Sequence, residues 1–176
     1  MTRTPARVRA RSCRATRPRD RAQLAAANSV DHSAPCSPKA PVELLSIALT
    51  ESGFDNAAHS DTPVERRAAG IWQIVPSTGR KLGLEVSAAR DQRLDPVNAT
   101  EAAATFLNDL FARYGDWPIA IAAYNAGERH VDSLIDGASS AADARARVLA
   151  GNAEHTRYVR AVMAALILIE NPVLLD

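Results

Sequence analysis

The sequence predicts a mostly helical single domain behind a basic N-terminal tail, and three observations carry that prediction. Apolar residues make up 47% of the chain and charged residues 23%. This globular balance excludes a chain disordered throughout, a collagen-like repeat and a disulfide scaffold. From Ala99 onward alanine is conspicuous, and apolar residues recur three and four positions apart rather than in alternation, the pattern of helices and not of strands. Finally, residues 1–21 hold eight arginines against one acid, Asp20, so the formal net charge of +1 hides a basic tail and an acidic remainder.

Residues 1–37 are rich in Arg, Ser, Pro and Ala and almost lack large apolar side chains. Such a segment buries too little surface to offset its ordering entropy and is expected to be disordered. It has no interleaved aromatics, so no nucleic-acid partner is expected. Only Leu24-Ala-Ala-Ala27 follows the basic start, too short for the apolar run of a secretory signal. No stretch reaches the roughly 18–20 apolar residues of a membrane span. The longest apolar run, Ala161 to Ile169, lies between Arg160 and Glu170 and reads as a buried core helix. Cys13 and Cys36 both precede the first convincing helix and say nothing about redox compartment.

The domain is expected over residues 38–176. Pro41 suits a first helical turn, and the helix it opens runs through Glu43–Ser52 to a stop at Gly53. Residues 53–70 read as a polar loop. Pro76–Leu82 reads as a short helix ending at Gly83. Asn98, followed by Glu101, resembles a helix cap. It opens a helix with Ala103, Phe106, Leu107, Leu110, Phe111 and Tyr114 on one stripe, closed by Gly115. Asp116 caps Trp117–Ala126, which stops at Gly127, and further helices are expected at about 128–135, 140–149 and 153–170.

Glu51 stands out on chemical grounds. Leu44, Ile47 and Ala48 lie seven, four and three residues before it and share its helical face. A carboxyl on an apolar stripe is costly to ionise, and the negative end of the helix dipole acts in the same sense. Both effects favour a carboxyl that keeps its proton near neutral pH, as a general acid must. A solvent-facing Glu, or one paired with Arg66 or Arg67, fits the same position. His32, His59, His130 and His155 are scattered without metal-ligand spacing, so no metal site is expected. No phosphate loop or serine elbow is present.

Three motifs surround Glu51 in order: Glu51-Ser-Gly-Phe54, then Gly70-Ile-Trp-Gln-Ile-Val-Pro-Ser-Thr78, then Ala122-Ala-Tyr-Asn-Ala-Gly127. Over about residues 40–170 the chain resembles the catalytic domain of lytic transglycosylases, the goose-lysozyme-like fold that cleaves bacterial peptidoglycan. The Gly-Ile-Trp-Gln form with Pro-Ser-Thr-Gly-Arg after it looks most like the membrane-bound type D branch. Arg157-Tyr-Val159 looks like the family's late Tyr-Val element.

The resemblance implies a lysozyme-like domain with a glycan-binding cleft. It implies that Glu51 is the sole catalytic acid/base, and that Ser60 contacts the sugar N-acetyl group or the region of the reacting hydroxyl. Gln73 hydrogen-bonds substrate. Tyr124 turns its hydroxyl to the catalytic carboxyl, with Asn125 beside it, while Ser52 and Tyr158 support the site. The implied reaction cuts the β-1,4 bond between N-acetylmuramic acid and N-acetylglucosamine and leaves a 1,6-anhydro end. Peptidoglycan strands are the implied partner, the cell envelope the implied location and a monomer the implied state, with no cofactor. Three features depart from the family pattern, one being that no export signal is recognised although the family works outside the cytoplasm. The stretch Asp61–Ala69 looks longer than in short relatives, and Val75 stands where many carry methionine. Structural roles also fit these residues singly: Tyr124 as a core tyrosine, Gln73 bonded to backbone, Asn125 at a helix end and Ser60 in a loop. A goose-type hydrolase, a glycan-binding domain without catalysis and a domain detached from a larger protein all remain open at this point.

Overall fold

The computed structural model describes residues 44–175. The stretch expected to be disordered, both cysteines and Pro41 lie outside them. The described chain is helical, with no named strand among its residues.

Helix α1 (Leu45–Ser52) ends where Gly53 takes a left-handed backbone, φ 62°, and returns its N–H to the Leu49 carbonyl at 2.9 Å. A Cβ would resist that conformation. The following loop carries a single tight turn, Val64–Arg66, and two antiparallel bridges, His59 with Ala69 and Ala69 with Ile74. Helix α2 (Pro76–Lys81) starts on a proline, whose missing N–H costs nothing in a first turn. A second tight turn, Gln92–Leu94, leads into the long α3 (Pro96–Tyr114).

The cap of α3 differs from the expected one. Asp95, not Asn98, accepts from the backbone N–H groups of Val97 and Asn98, at 3.0 and 3.1 Å. Pro96 decides this, because it needs no partner at the first helical position and starts the helix three residues earlier. The cap of α4 (Trp117–Ala126) is the expected one, Asp116 accepting from Ile119 N–H at 3.2 Å. Three helices complete the chain: α5 (Glu128–Ile135), α6 (Ala141–Val148) and α7 (Glu154–Glu170).

Helix α4 is the centre. Ile119 to Ala123 are all buried, and α4 packs on α3, α5, α6 and α7, while α1 packs on α7. Its alanines let neighbouring helices approach closely. The α3 stripe divides: Ala103, Leu107 and Leu110 are buried, and Phe106, Phe111 and Tyr114 pack against the core from its edge. Trp72 is buried, with its indole N–H on Thr100 Oγ1 at 2.9 Å, and Trp117 stacks on Phe111.

The run Ala161–Ile169 is not the fully buried helix its composition suggests. Val162 and Ala165 are buried, whereas Met163, Ile167 and Leu168 are exposed. Helix α7 meets α1 and α4, so one face is covered and the other is left open although both are apolar.

Candidate active site

A cleft of about 500 Å³ runs between the end of α1, the 53–75 loop, α2, α3 and α4. Glu51, Ser60, Gln73, Tyr124 and Asn125 all line it. Residues far apart in sequence thus meet on one surface, and each arrives for a local reason.

Glu51 sits in the last turn of α1, above the buried Leu44, Ile47 and Ala48. Burial pushes its carboxyl above the usual glutamate value, and a hydrogen bond from Tyr158 only partly opposes this. The Tyr158 hydroxyl donates to Glu51 Oε1 at 2.6 Å. Neither Arg66 nor Arg67 pairs with the carboxyl; the Arg67 Nε–H goes to the Thr62 carbonyl.

The two tyrosines stand differently toward the carboxyl. The Tyr124 hydroxyl donates to the Trp72 carbonyl at 2.7 Å. Its ring lies 5.6 Å from that of Phe106, between centroids. Burial, then the charge of Glu51, raises the Tyr124 hydroxyl well above the ordinary tyrosine value. Tyr158 is raised by burial and by the same charge. Both hydroxyls therefore stay protonated donors at any working pH, and the one that bonds the carboxyl is that of Tyr158.

Gln73 has a left-handed backbone, φ 46°, rare for a side-chain-bearing residue. Its Nε2 donates to the carbonyls of Gly70 at 2.8 Å and Ala58 at 3.1 Å. Two carbonyl neighbours fix which end of the amide is nitrogen. The amide oxygen is left as the group that can face a ligand. Ser60 is also tied down: its Oγ accepts from Ala68 N–H at 2.8 Å and bonds Thr62 Oγ1 at 2.9 Å. Ser52 donates to the Ile71 carbonyl at 3.0 Å and so ties the end of α1 to the Gly70–Val75 stretch. Val75 lines the cleft.

Sequence reasoning missed one charged group. Glu128, the first residue of α5, is the second carboxylate among the described lining residues. It pairs with Arg113 at 3.5 Å and Lys81 at 3.8 Å. Its position directly after the Ala122–Gly127 motif was the available signal. Asp55, Asp61 and Glu65, the first acids after Glu51 in sequence, do not line the cleft. Among the described residues no group of three or more His, Cys, Asp and Glu is placed to hold a metal.

A helical domain with a carboxyl raised by burial at an open cleft fits a class of lysozyme-like folds, and comparison with known proteins narrows it. The chain belongs to the transglycosylase SLT domain family, whose model matches residues 37–146. Tyr158 lies beyond that match. The chain is 45% identical over 96 residues to membrane-bound lytic murein transglycosylase D of Escherichia coli K12, which covers 54% of this chain and 20% of that protein. It is 36% identical over 104 residues to a protein named for tributyltin chloride resistance in an Alteromonas strain, covering 58% of this chain and 48% of that one. The chain thus spans about a fifth of the first relative and about half of the second. The fold also matches an inactive variant of lytic transglycosylase Slt from Pseudomonas aeruginosa, with a TM-score of 0.59 and 23% identity, over 74% of this chain and 21% of that one.

Proposed function

We propose that residues 38–176 form a peptidoglycan lytic transglycosylase acting in the bacterial cell envelope. The observation that carries this reading is Glu51: a carboxyl whose pKa burial raises, gripped on one oxygen by Tyr158, at the edge of a cleft that also collects Ser60, Gln73, Tyr124 and Asn125.

The chemistry follows from that arrangement. Tyr158 donates to Oε1, so the acidic proton rides on Oε2. Glu51 gives it to the oxygen bridging N-acetylmuramic acid and N-acetylglucosamine as the C1–O bond breaks. The oxygen of the substrate's 2-acetamido group shields the electron-poor C1. Glu51, now a carboxylate stabilised by the Tyr158 O–H, takes the proton of the muramoyl C6 hydroxyl. That oxygen closes onto C1 and leaves a 1,6-anhydro sugar. The carboxyl ends as it began. Gln73 offers its amide oxygen to a substrate N–H or O–H, and Ser60 and Asn125 line the same path.

A glycosidase with two carboxylates needs its second acid close to the first. The other described cleft carboxylate, Glu128, is engaged by two cations, which favours substrate assistance. Mass spectrometry of the products from purified peptidoglycan tests the reading. An anhydro product supports it. A reducing-end product assigns a goose-type hydrolase instead, and binding with no product assigns a glycan-binding domain.

A further inference from the structure

One buried charge lies outside the site and has no role in the chemistry above. Arg93 is 5% exposed. A guanidinium in that position costs heavily unless every donor is used. Asp91 takes two of them, Nε at 2.9 Å and Nη2 at 2.6 Å, in the forked geometry that arginine and carboxylate share. The remaining nitrogen, Nη1, donates to the carbonyls of Arg67 at 2.7 Å and Ile74 at 2.9 Å.

Those two carbonyls bracket the recognition side of the cleft. Arg67 precedes Ala68, whose N–H bonds the Ser60 hydroxyl. Ile74 follows Gln73 and pairs with Ala69 in both directions at 3.2 Å. Other contacts converge on the same turn. The Asn56 amide donates to the Leu94 carbonyl. Gly70, at φ 76°, packs so close that a Cβ there would collide with the Arg93 carbonyl oxygen. Gly79 of α2 lies over the Arg93 stem, where a Cβ would meet Cδ at 3.3 Å. Short polar ties to one turn thus hold the loop between Asn56 and Ile74.

We propose that Arg93, gripped by Asp91, is the positioning residue that sets the substrate-facing wall bearing Ser60 and Gln73. The inference rests on the reading that this wall binds glycan. Arg93 does not line the cleft and touches no reacting atom; it acts through the residues that do. Lysine cannot replace it, because a point charge cannot serve a carboxylate fork and two carbonyls together.

The test uses the full chain with Arg93→Lys and Asp91→Asn. Both are measured for helicity and melting, for affinity to an N-acetylglucosamine hexasaccharide, and for kcat and KM on purified peptidoglycan. Arg93→Lys is expected to fold, to bind the hexasaccharide about tenfold more weakly and to raise KM by the same factor. Its kcat should stay within about twofold, because Arg93 sends its side-chain bonds to Asp91, Arg67 and Ile74 and none to Glu51 or Tyr158. Asp91→Asn, at a more open side chain, should act in the same direction by about threefold and decides the matter if Arg93→Lys does not fold. Combined with Gln73→Ala, Arg93→Lys should weaken binding no more than the stronger single change does.

A lowered melting temperature with normal affinity and KM below the melt would overturn the inference, as would factors that multiply in the double variant. A wild type that binds the hexasaccharide but releases no muropeptide sinks the proposed reaction and leaves positioning to be decided by the binding data. A wild type that does neither overturns both.

Discussion

Glu51 and Tyr124 reach the cleft from helices, Ser60 and Gln73 from a loop, and different forces hold the two sides. On the helical side, apolar burial positions the groups: Ile47 and Ala48 under Glu51, and Ala122 and Ala123 beside Tyr124. The loop side depends on backbone and side-chain hydrogen bonds, such as Gln73 to Ala58 and Gly70, Ser60 to Ala68, and Arg93 to Arg67 and Ile74. Burial makes a helix a rigid platform and also raises the pKa of a carboxyl it desolvates, so one cause supplies both position and a tighter hold on the proton. A loop held by polar bonds leaves its remaining acceptors facing out, which suits recognition. The difference teaches that a carboxyl with a raised pKa belongs on the side built by apolar burial, and open hydrogen-bonding groups on the side built by polar ties.

The largest effect that follows is on the helical side. Glu51→Gln should lower kcat by about a thousandfold or more, within or above the usual range for removing a general acid, while hexasaccharide binding and the helical spectrum persist. The same variant checks the desolvation. The folded chain holds the Glu51 proton more tightly than the unfolded chain, because burial raises the folded value above the ordinary 4.5. Stability from this group is therefore complete below the unfolded value and is lost as pH rises through the folded one. Glutamine never ionises, so the melting temperature of Glu51→Gln should exceed that of wild type by a margin that grows from pH 4 to pH 8. A margin that does not change with pH would mean that Glu51 is solvated and the two sides are not different in kind.

The sequence showed these two sides unequally. Helix spacing placed Glu51 over Leu44, Ile47 and Ala48, and the helices between Trp117 and Glu170 were legible from their stops and caps. Burial is a matter of periodicity, and periodicity can be read. The loop side could be named only through motif resemblance, since no local rule says that Gln73 takes a left-handed backbone or that its amide is spent on Ala58 and Gly70. The bonds of Arg93 escape local reading because its partners at Arg67 and Ile74 lie 26 and 19 residues away. Two local rules also failed. Asn98 lost the cap to Asp95 because Pro96 outranks it at the helix start. The apolar run Ala161–Ile169 reads as buried by composition, which does not say how many neighbours a helix will have.

A smaller effect separates the two tyrosines. Tyr158→Phe removes the hydroxyl on Glu51 Oε1, a bond that favours the carboxylate. The carboxyl should rise further, moving the basic limb of the pH–kcat profile upward, with kcat down about tenfold as expected for a hydrogen bond to a charged group. Tyr124→Phe orphans the Trp72 carbonyl instead. It should cost about 1–3 kcal/mol of stability and leave that limb where it was. If both variants shift the limb equally, the carboxyl is served by both hydroxyls, and the division of labour between them is lost.

The smallest effect should come from Glu128→Gln, and it is the sharpest on mechanism. Glu128 shares the cleft with Glu51, so a two-carboxylate glycosidase would draw on it. Its surroundings argue otherwise. Arg113 at 3.5 Å and Lys81 at 3.8 Å already face its two oxygens, and Arg113 is itself tied to Asp132 at 2.6 Å. A nucleophile or base spread over two cations is weakened for attack on C1. The acetamide oxygen of the substrate needs no such release, because it arrives with the sugar. Both ion pairs are largely exposed, at 71% for the Lys81 side chain and 50% for Arg113, so losing them should cost well under about 1 kcal/mol. Glu128→Gln should therefore keep kcat within about threefold, retain the anhydro product and melt within a degree or two of wild type, as initial rates, muropeptide masses and thermal melts will show. A folded Glu128→Gln protein as inactive as Glu51→Gln would instead put the second carboxylate on α5 and require a two-acid mechanism.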